Sequence, residues 1–306
     1  NFFMFLFFIF IFLILLFKFN FNFFINISNS DFITFIIISI NLLIPFQKIN
    51  ETVSNLFNLS GNSKKISQII DTDLEEYGGL NKIINFSNKI IFENVTFEHS
   101  NKFSITNIEF EIEKGDKLVI FGKSGSGKST LIDLILKFYT PSTGQIKIDD
   151  LEYHNMDLNT LRSLFSVSFQ ENIIFNDSIL NNIIFDKKYD KSKYIKVIKN
   201  SGLKDYIESL PNKDSTILGD NGSKLSGGLK QRLSIARVLY NDNPIFIFDE
   251  VTAALDDDME KLILNNIFNQ YNDKTIIMIT HKKKLLNYFK KMLVLNNGKI
   301  EYFGNT

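Results

Sequence analysis

The stretch Gly122-Lys-Ser-Gly-Ser-Gly-Lys-Ser-Thr130 fits the pattern G-x-x-x-x-G-K-[ST]. An apolar strand, Lys117-Leu-Val-Ile-Phe121, runs into it, and an apolar helix, Leu131-Ile-Asp-Leu-Ile-Leu136, leaves it. Strand, glycine-rich turn and helix in that order make a phosphate cradle. Gly122, Gly125 and Gly127 let the backbone bend so that its N–H groups point inward at phosphate oxygens. The helix beginning near Lys128 adds its positive dipole end. Lys128 is placed to reach the β- and γ-phosphates as a point charge, and Ser129 to offer its hydroxyl to Mg²⁺. Ser124, Ser126 and Thr130 complete the expected nucleotide-contacting set. The fold class implied is α/β, built on a phosphate-loop core.

The chain has 306 residues, enough for two domains. Its formal net charge is zero, so nothing points to a nucleic-acid partner. Cysteine is absent, which excludes disulfides, zinc–thiolate sites and Fe–S clusters. Asn, Lys, Ile and Phe dominate throughout, so runs such as Phe19-Asn-Phe-Asn-Phe-Phe24 read as bias of composition rather than function.

The N-terminal part differs sharply from the rest. Phe2 to Phe17 is unbroken apolar sequence, and a second apolar stretch runs from Phe32 to Phe46, interrupted by Thr34, Ser39, Asn41 and Pro45. With their flanks these predict two membrane spans, about 2–27 and 32–47. The first lacks the basic start and small-residue cleavage site of a secretory leader. Lys48, Lys64 and Lys65 come after the second stretch, whereas the connection between the two carries only Lys18 and Asp31. By the positive-inside tendency, the C-terminal domain is cytosolic and the protein is integral to a membrane. From Gln47 to about Asp71, apolar residues recur at helical spacing, with Gly61 and Ser63 weakening the middle. A linker containing Gly78-Gly79 comes next. The expected division is a partial membrane domain with its helical extension and linker over 1–78, and a nucleotide-binding domain over 89–306.

A carboxylate for Mg²⁺ is expected at the end of a second buried strand. Pro244-Ile-Phe-Ile-Phe-Asp249-Glu250 supplies it: an apolar run, then two acids. Such a run suits a central parallel strand covered on both faces. Asp249 then falls where nucleotide sites form in open α/β sheets, and Glu250 is placed to polarise an attacking water. Between the two motifs lies Leu225-Ser-Gly-Gly-Leu-Lys-Gln-Arg232, opening an apolar-periodic helix that Ser226 is positioned to cap.

Leu225-Ser-Gly-Gly closely resembles the signature of the ATP-binding-cassette (ABC) ATPases, and the remaining motifs stand in that family's order. Phe165-Ser-Val-Ser-Phe-Gln170 resembles the Q-loop, with Gln170 at the end of a strand, Ala254-Leu-Asp256 the D-loop, and Thr275-Ile-Ile-Met-Ile-Thr-His281 a strand ending in the switch histidine. Ile217-Leu-Gly-Asp-Asn-Gly222 resembles the loop before the signature in exporters, and Leu293-Val-Leu-Asn-Asn-Gly-Lys299 the closing hairpin. The resemblance covers about 89–304 and extends more weakly over 29–71, which looks like the last membrane helix of an exporter. Ser129-Thr-Leu-Ile-Asp-Leu-Ile-Leu136 also resembles lipid-linked oligosaccharide flippases.

This resemblance implies a helical subdomain inserted from about Leu164 to Asn241 and a small antiparallel sheet near the start of the domain. It implies ATP and Mg²⁺ as ligands, with Lys128, Gln170, Glu250 and His281 as catalytic residues. Ser129, Gln170 and Asp249 would hold the metal. It implies a head-to-tail dimer, in which Ser226, Gly227, Gly228 and Asp256 of one half meet the ATP of the other. The partners would be a second half-transporter, membrane lipid and a transported substrate of unknown identity. The chain opens on Asn1, and only two spans are visible where such an exporter half has six, so the resemblance is to a C-terminal part. Two other readings are a non-transport ABC ATPase and a regulatory half that binds ATP without turnover. The family usually has Gln where this chain has Leu229. It also has Tyr, stacking on adenine, where this chain has His99. Lys282-Lys-Lys284 reads as a solvated helix start, and Asp256-Asp-Asp258 as acid loading of a helix N-terminus.

Overall fold

The computed structural model describes residues 29–70, 79, 81–82, 85–98 and 104–306. The chain divides into two units, 1–75 and 76–306. In the first, helix α1 (Asn29–Ile70) runs 42 residues with Pro45 inside it, unbroken through Gly61 and Ser63. Ile49, Val53, Leu56, Phe57 and Ile66 on it are exposed. The expected span over 2–27 lies outside the described residues. The expected span over 32–47 coincides with the start of α1, yet no helix among the described residues is long and apolar enough to cross a membrane. The apolar run Phe32–Phe46 rises only about 22 Å at 1.5 Å per residue, short of the roughly 30 Å hydrocarbon core.

The second unit holds two sheets. Strands β1 (Lys89–Glu98), β2 (Ser104–Glu113), β4 (Thr143–Ile148) and β5 (Leu151–Glu152) form an antiparallel sheet in the order β2-β1-β4-β5. The other sheet runs β10-β9-β3-β8-β7-β6. Its members are β3 (Lys117–Phe121), β6 (Phe165–Ser168), β7 (Ile245–Asp249), β8 (Thr275–Thr280), β9 (Lys291–Asn296) and β10 (Lys299–Asn305). Every pairing there is parallel except the closing hairpin β9–β10. That hairpin turns at Asn297 and Gly298, both with positive φ, as a two-residue primed turn requires.

Side chains alternate across a strand, so the central strands split their apolar residues between two cores. Leu118, Ile120, Ile245, Ile247, Ile277 and Ile279 face one, with Leu131, Ile132, Leu134 and Ile135 of α2 (Lys128–Ile135). Val119, Phe246, Phe248, Ile276 and Met278 face the other, against α7 (Gly227–Asn241) and α8 (Asp257–Gln270). Both faces are covered, which is why β7 and β8 read as unbroken apolar runs.

The short helices α4 (Ile179–Ile184), α5 (Lys191–Asn200) and α6 (Lys204–Ser209) precede α7; α3 (Leu158–Arg162) lies before β6. The helical insertion therefore begins later than the expected Leu164, because Phe165–Ser168 pairs with β7 in the central sheet. Arg237 of α7 fastens the insertion. Its guanidinium donates to the Asn182 carbonyl and side-chain oxygens at 2.7 Å each, and to the Ile173 carbonyl at 2.5 Å.

Candidate functional site

Strand register assembles the site. Phe121 pairs with Thr280, Asp249 with Ile279, and Ser168 with Phe248. The C-terminal ends of β3, β8, β7 and β6 are thus adjacent, about 4.8 Å apart strand to strand. The phosphate loop, His281, Glu250 and Gln170 leave those four ends in that order. Together with Ser124, Gly125, Gly127, Lys128, Ser129, Thr130 and Asp249 they line one cleft of about 680 Å³. Residues far apart in sequence meet because parallel strands end on the same edge.

The loop is held from behind. Gly127 caps α2 with φ 108°, a left-handed conformation that a side chain would strain. A Cβ on Gly122 would lie 2.4 Å from the Leu295 carbonyl oxygen, so only glycine lets the loop lie against β9. The Gly298 N–H donates to the Ser126 carbonyl at 3.0 Å, so the closing hairpin braces the loop. Lys128 is buried, and its ammonium donates to the Gly122 and Lys123 carbonyls at 2.9 and 2.8 Å. The Ser126 hydroxyl is buried with no hydrogen-bond partner among the described residues.

Asp249 ends β7 and is only 6 % exposed. Burial, with Glu250 adding to it, pushes its carboxyl up to about 6 against the pull of Lys128. Glu250 comes next, in the left-handed region at φ 49°, and its N–H donates to the Ile279 carbonyl at 3.1 Å. That turn leaves its carboxylate between two neighbours. Gln170 Nε2 donates to Oε2 at 3.3 Å, and His281 Nδ1 lies 3.5 Å from Oε1. A carboxylate fixed on both oxygens is oriented, and an oriented carboxylate can accept a proton or a hydrogen bond from water.

Other expected residues stand elsewhere. Ser226, Gly227, Gly228 and Asp256 do not line the cleft. Ser226 caps α7, accepting from Leu229 N–H at 3.4 Å, and Asp256 caps α8, accepting from Met259 N–H at 2.9 Å. Gly227 and Gly228 pack on Ala254 of the same chain. His99 lies outside the described residues. Phe97 is buried and stacked on Tyr139, ring centroids 4.8 Å apart. Two features have no signal in the sequence. Gln231 of α7 bridges the Glu250 carbonyl, at 3.5 Å, and the Ala254 N–H, at 2.8 Å. Lys282-Lys-Lys284 does open a short 3-10 helix, Lys283–Tyr288, and Lys284 is exposed, but Lys282 is half-buried and both Lys282 and Lys284 pair with Glu260. That glutamate is buried, and its charge draws the lysines in.

Residues 105–253 match the family model described as ABC transporter. The chain belongs to the ABC transporter family. Its ATP-dependent lipid A-core flippase relative from Coxiella burnetii is 33% identical over 279 residues, covering 90% of this chain and 47% of that protein. The alpha-hemolysin translocation ATP-binding protein of Escherichia coli O157:H7 is 36% identical over 244 residues, covering 79% and 35%. A bacterial Atm1-family ABC exporter solved with ATP bound superposes with a TM-score of 0.75 at 30% identity, over 87% of this chain and 47% of that one. This chain spans about half the length of the curated relatives it matches. It holds an ABC ATPase domain, and ABC ATPase domains bind ATP.

Proposed function

We propose that this chain is the ATP-driven part of an exporter-class ABC transporter, hydrolysing ATP in the cleft to move a substrate across a membrane. The observation that carries this is the meeting of the phosphate loop, Asp249, Glu250, Gln170 and His281 in one cleft. The export step rests on the flippase and exporter relatives. The membrane assignment rests on the apolar N-terminal sequence, and the cytosolic side of the ATPase domain on Lys48, Lys64 and Lys65.

The residues present fit Mg²⁺ with a nucleotide. Asp249, Ser129 and Gln170 all line the cleft and offer hard oxygen donors to it. Among the described residues no group of three or more His, Asp or Glu would hold a metal alone. Mg²⁺ with phosphates needs none, because it takes one or two protein ligands and fills its shell with phosphate and water. Burial, with Glu250 adding to it, holds the Asp249 carboxyl up, and a cation beside it would favour the carboxylate. When bound, the ion neutralises charge on the β- and γ-phosphate oxygens.

The protein's own residues do the rest. The loop amides and Lys128 grip the phosphates, for which the Gly122 and Lys123 carbonyls give up the ammonium. Glu250 orients the attacking water and takes its proton. Gln170 and His281 keep that carboxylate aimed. Because Ser226, Gly227, Gly228 and Asp256 stand outside the cleft, the site is completed by a second half, homologous or identical, whose signature closes over the ATP. The test is phosphate release from Mg²⁺-ATP at increasing protein concentration. Activity per chain that rises with concentration, and is lost in EDTA, supports the reading. Metal-independent release, or none at any concentration, defeats it.

A further inference from the structure

A buried carboxylate lies outside the cleft and takes no direct part in its chemistry. Glu260 stands in the first turn of α8, its side chain 2 % exposed. Burial pushes its carboxyl up, but hydrogen bonds from Lys282, Lys284 and Thr252 outweigh this and hold it below the ordinary value. Lys282 Nζ donates to Oε1 at 2.7 Å, and Lys284 Nζ lies 2.6 Å from Oε2. Lys282 Nζ also donates to the Thr252 carbonyl at 2.8 Å, and Lys284 bonds Asp257 as well. A buried charge met on both oxygens by two cations fixes backbone positions, because removing one partner leaves the other charge uncompensated.

The fixed positions matter. Lys282 immediately follows His281, and Thr252 is two residues past Glu250. The cluster therefore clamps the two backbone segments that bring His281 Nδ1 to 3.5 Å from Glu250 Oε1. The Lys282 N–H adds a bond to Thr280 Oγ1 at 3.1 Å, closing the turn in which His281 sits. The His281 side chain is 60 % exposed, so packing does not set its place and the backbone on either side must.

We propose that Glu260, through Lys282 and Lys284, is a positioning residue that sets His281 against Glu250. This rests on the ATPase reading of the cleft. Glu260 does not line the cleft. It acts by holding the switch histidine within reach of the carboxylate.

The experiment compares the full chain with Glu260→Gln, Lys282→Met and Lys282→Arg. Two readouts are taken: kcat and KM for Mg²⁺-ATP, and the imidazole carbon-bound proton signal of His281 in nucleotide-free protein. With three histidines in the chain, His281→Gln assigns that signal. Glu260→Gln and Lys282→Met are expected to lower kcat about ten-fold or more while KM moves less than about two-fold, since misplacement by around 1 Å costs turnover rather than binding. The His281 signal shifts in both. Lys282→Arg keeps the charge and restores both readouts. An unmoved signal with unchanged kcat overturns the proposal. So does a joint loss of kcat, ATP affinity and melting temperature in both variants, which marks a merely structural cluster. If the wild-type chain hydrolyses no ATP, the cleft reading fails by itself. The histidine signal then decides the positioning alone: shifted supports it, unshifted overturns it.

Discussion

Replacing Asp249 by Asn is expected to stabilise the protein when metal and nucleotide are absent. Burial at the end of β7, aided by Glu250, pushes the Asp249 carboxyl from 3.8 up to about 6. Below pH 3.8 the group is protonated in both folded and unfolded chains and costs nothing. As pH rises from 3.8 to 6 the unfolded chain releases its proton first, so stability falls. Above pH 6 the penalty is constant. Worked from that difference, it is about 3 kcal/mol at pH 8 and about 1 kcal/mol at pH 4.5. The neutral amide of D249N escapes it. For a unit of this size the gain corresponds to roughly 6–12 °C in melting temperature at pH 8 and about 2–4 °C at pH 4.5. The chain has no Trp, so melting is monitored by far-UV circular dichroism in EDTA. Equal or lower melting of D249N at pH 8 would refute the reasoning. So would a gain that does not shrink at pH 4.5. Mg²⁺-ATP should reverse the order, by stabilising the wild type and not the variant.

Three further outcomes rest on named contacts. Lys128→Ala should weaken ATP binding by at least about 100-fold in calorimetry, since among the described residues no other ammonium lines the cleft. Ser226→Ala removes the cap of α7 and should cost about 1 kcal/mol in denaturant unfolding, with ATP affinity of the isolated chain unchanged. Arg237→Lys cannot make the three-contact fork to Asn182 and Ile173, and should lower the melting temperature by several degrees, about 1–3 kcal/mol.

The catalytic sheet is legible in the sequence because its signals are local. Lys117–Phe121, the β7 run and the β8 run each announce a strand covered on both faces, and each ends in a motif. The order of motifs then places the site on one sheet edge. The features that stay hidden depend on pairing across long separations. Phe165–Gln170 reads as a strand ending in Gln170, but nothing local shows that it pairs with β7, so the insertion is placed too early, at about Leu164. The pairing of Lys282 and Lys284 is not legible, because their partner Glu260 lies 22 and 24 residues upstream on a helix face whose burial the sequence does not display. The Gln231 bridge is invisible for a simpler reason: one amide in a helical pattern carries no signal. Leu229, a departure from the usual signature, is partly buried against the second core and has a packing role of its own.

The most direct test of the account is Glu250→Gln in the full chain with Mg²⁺-ATP. The amide keeps the size and the phosphate cradle but cannot take a proton from water. ATP is expected to bind still with wild-type affinity while phosphate release falls by about 100-fold or more. Hydrolysis at the wild-type rate would contradict it, and the chemistry would have to be sought outside the cleft between the phosphate loop and β7.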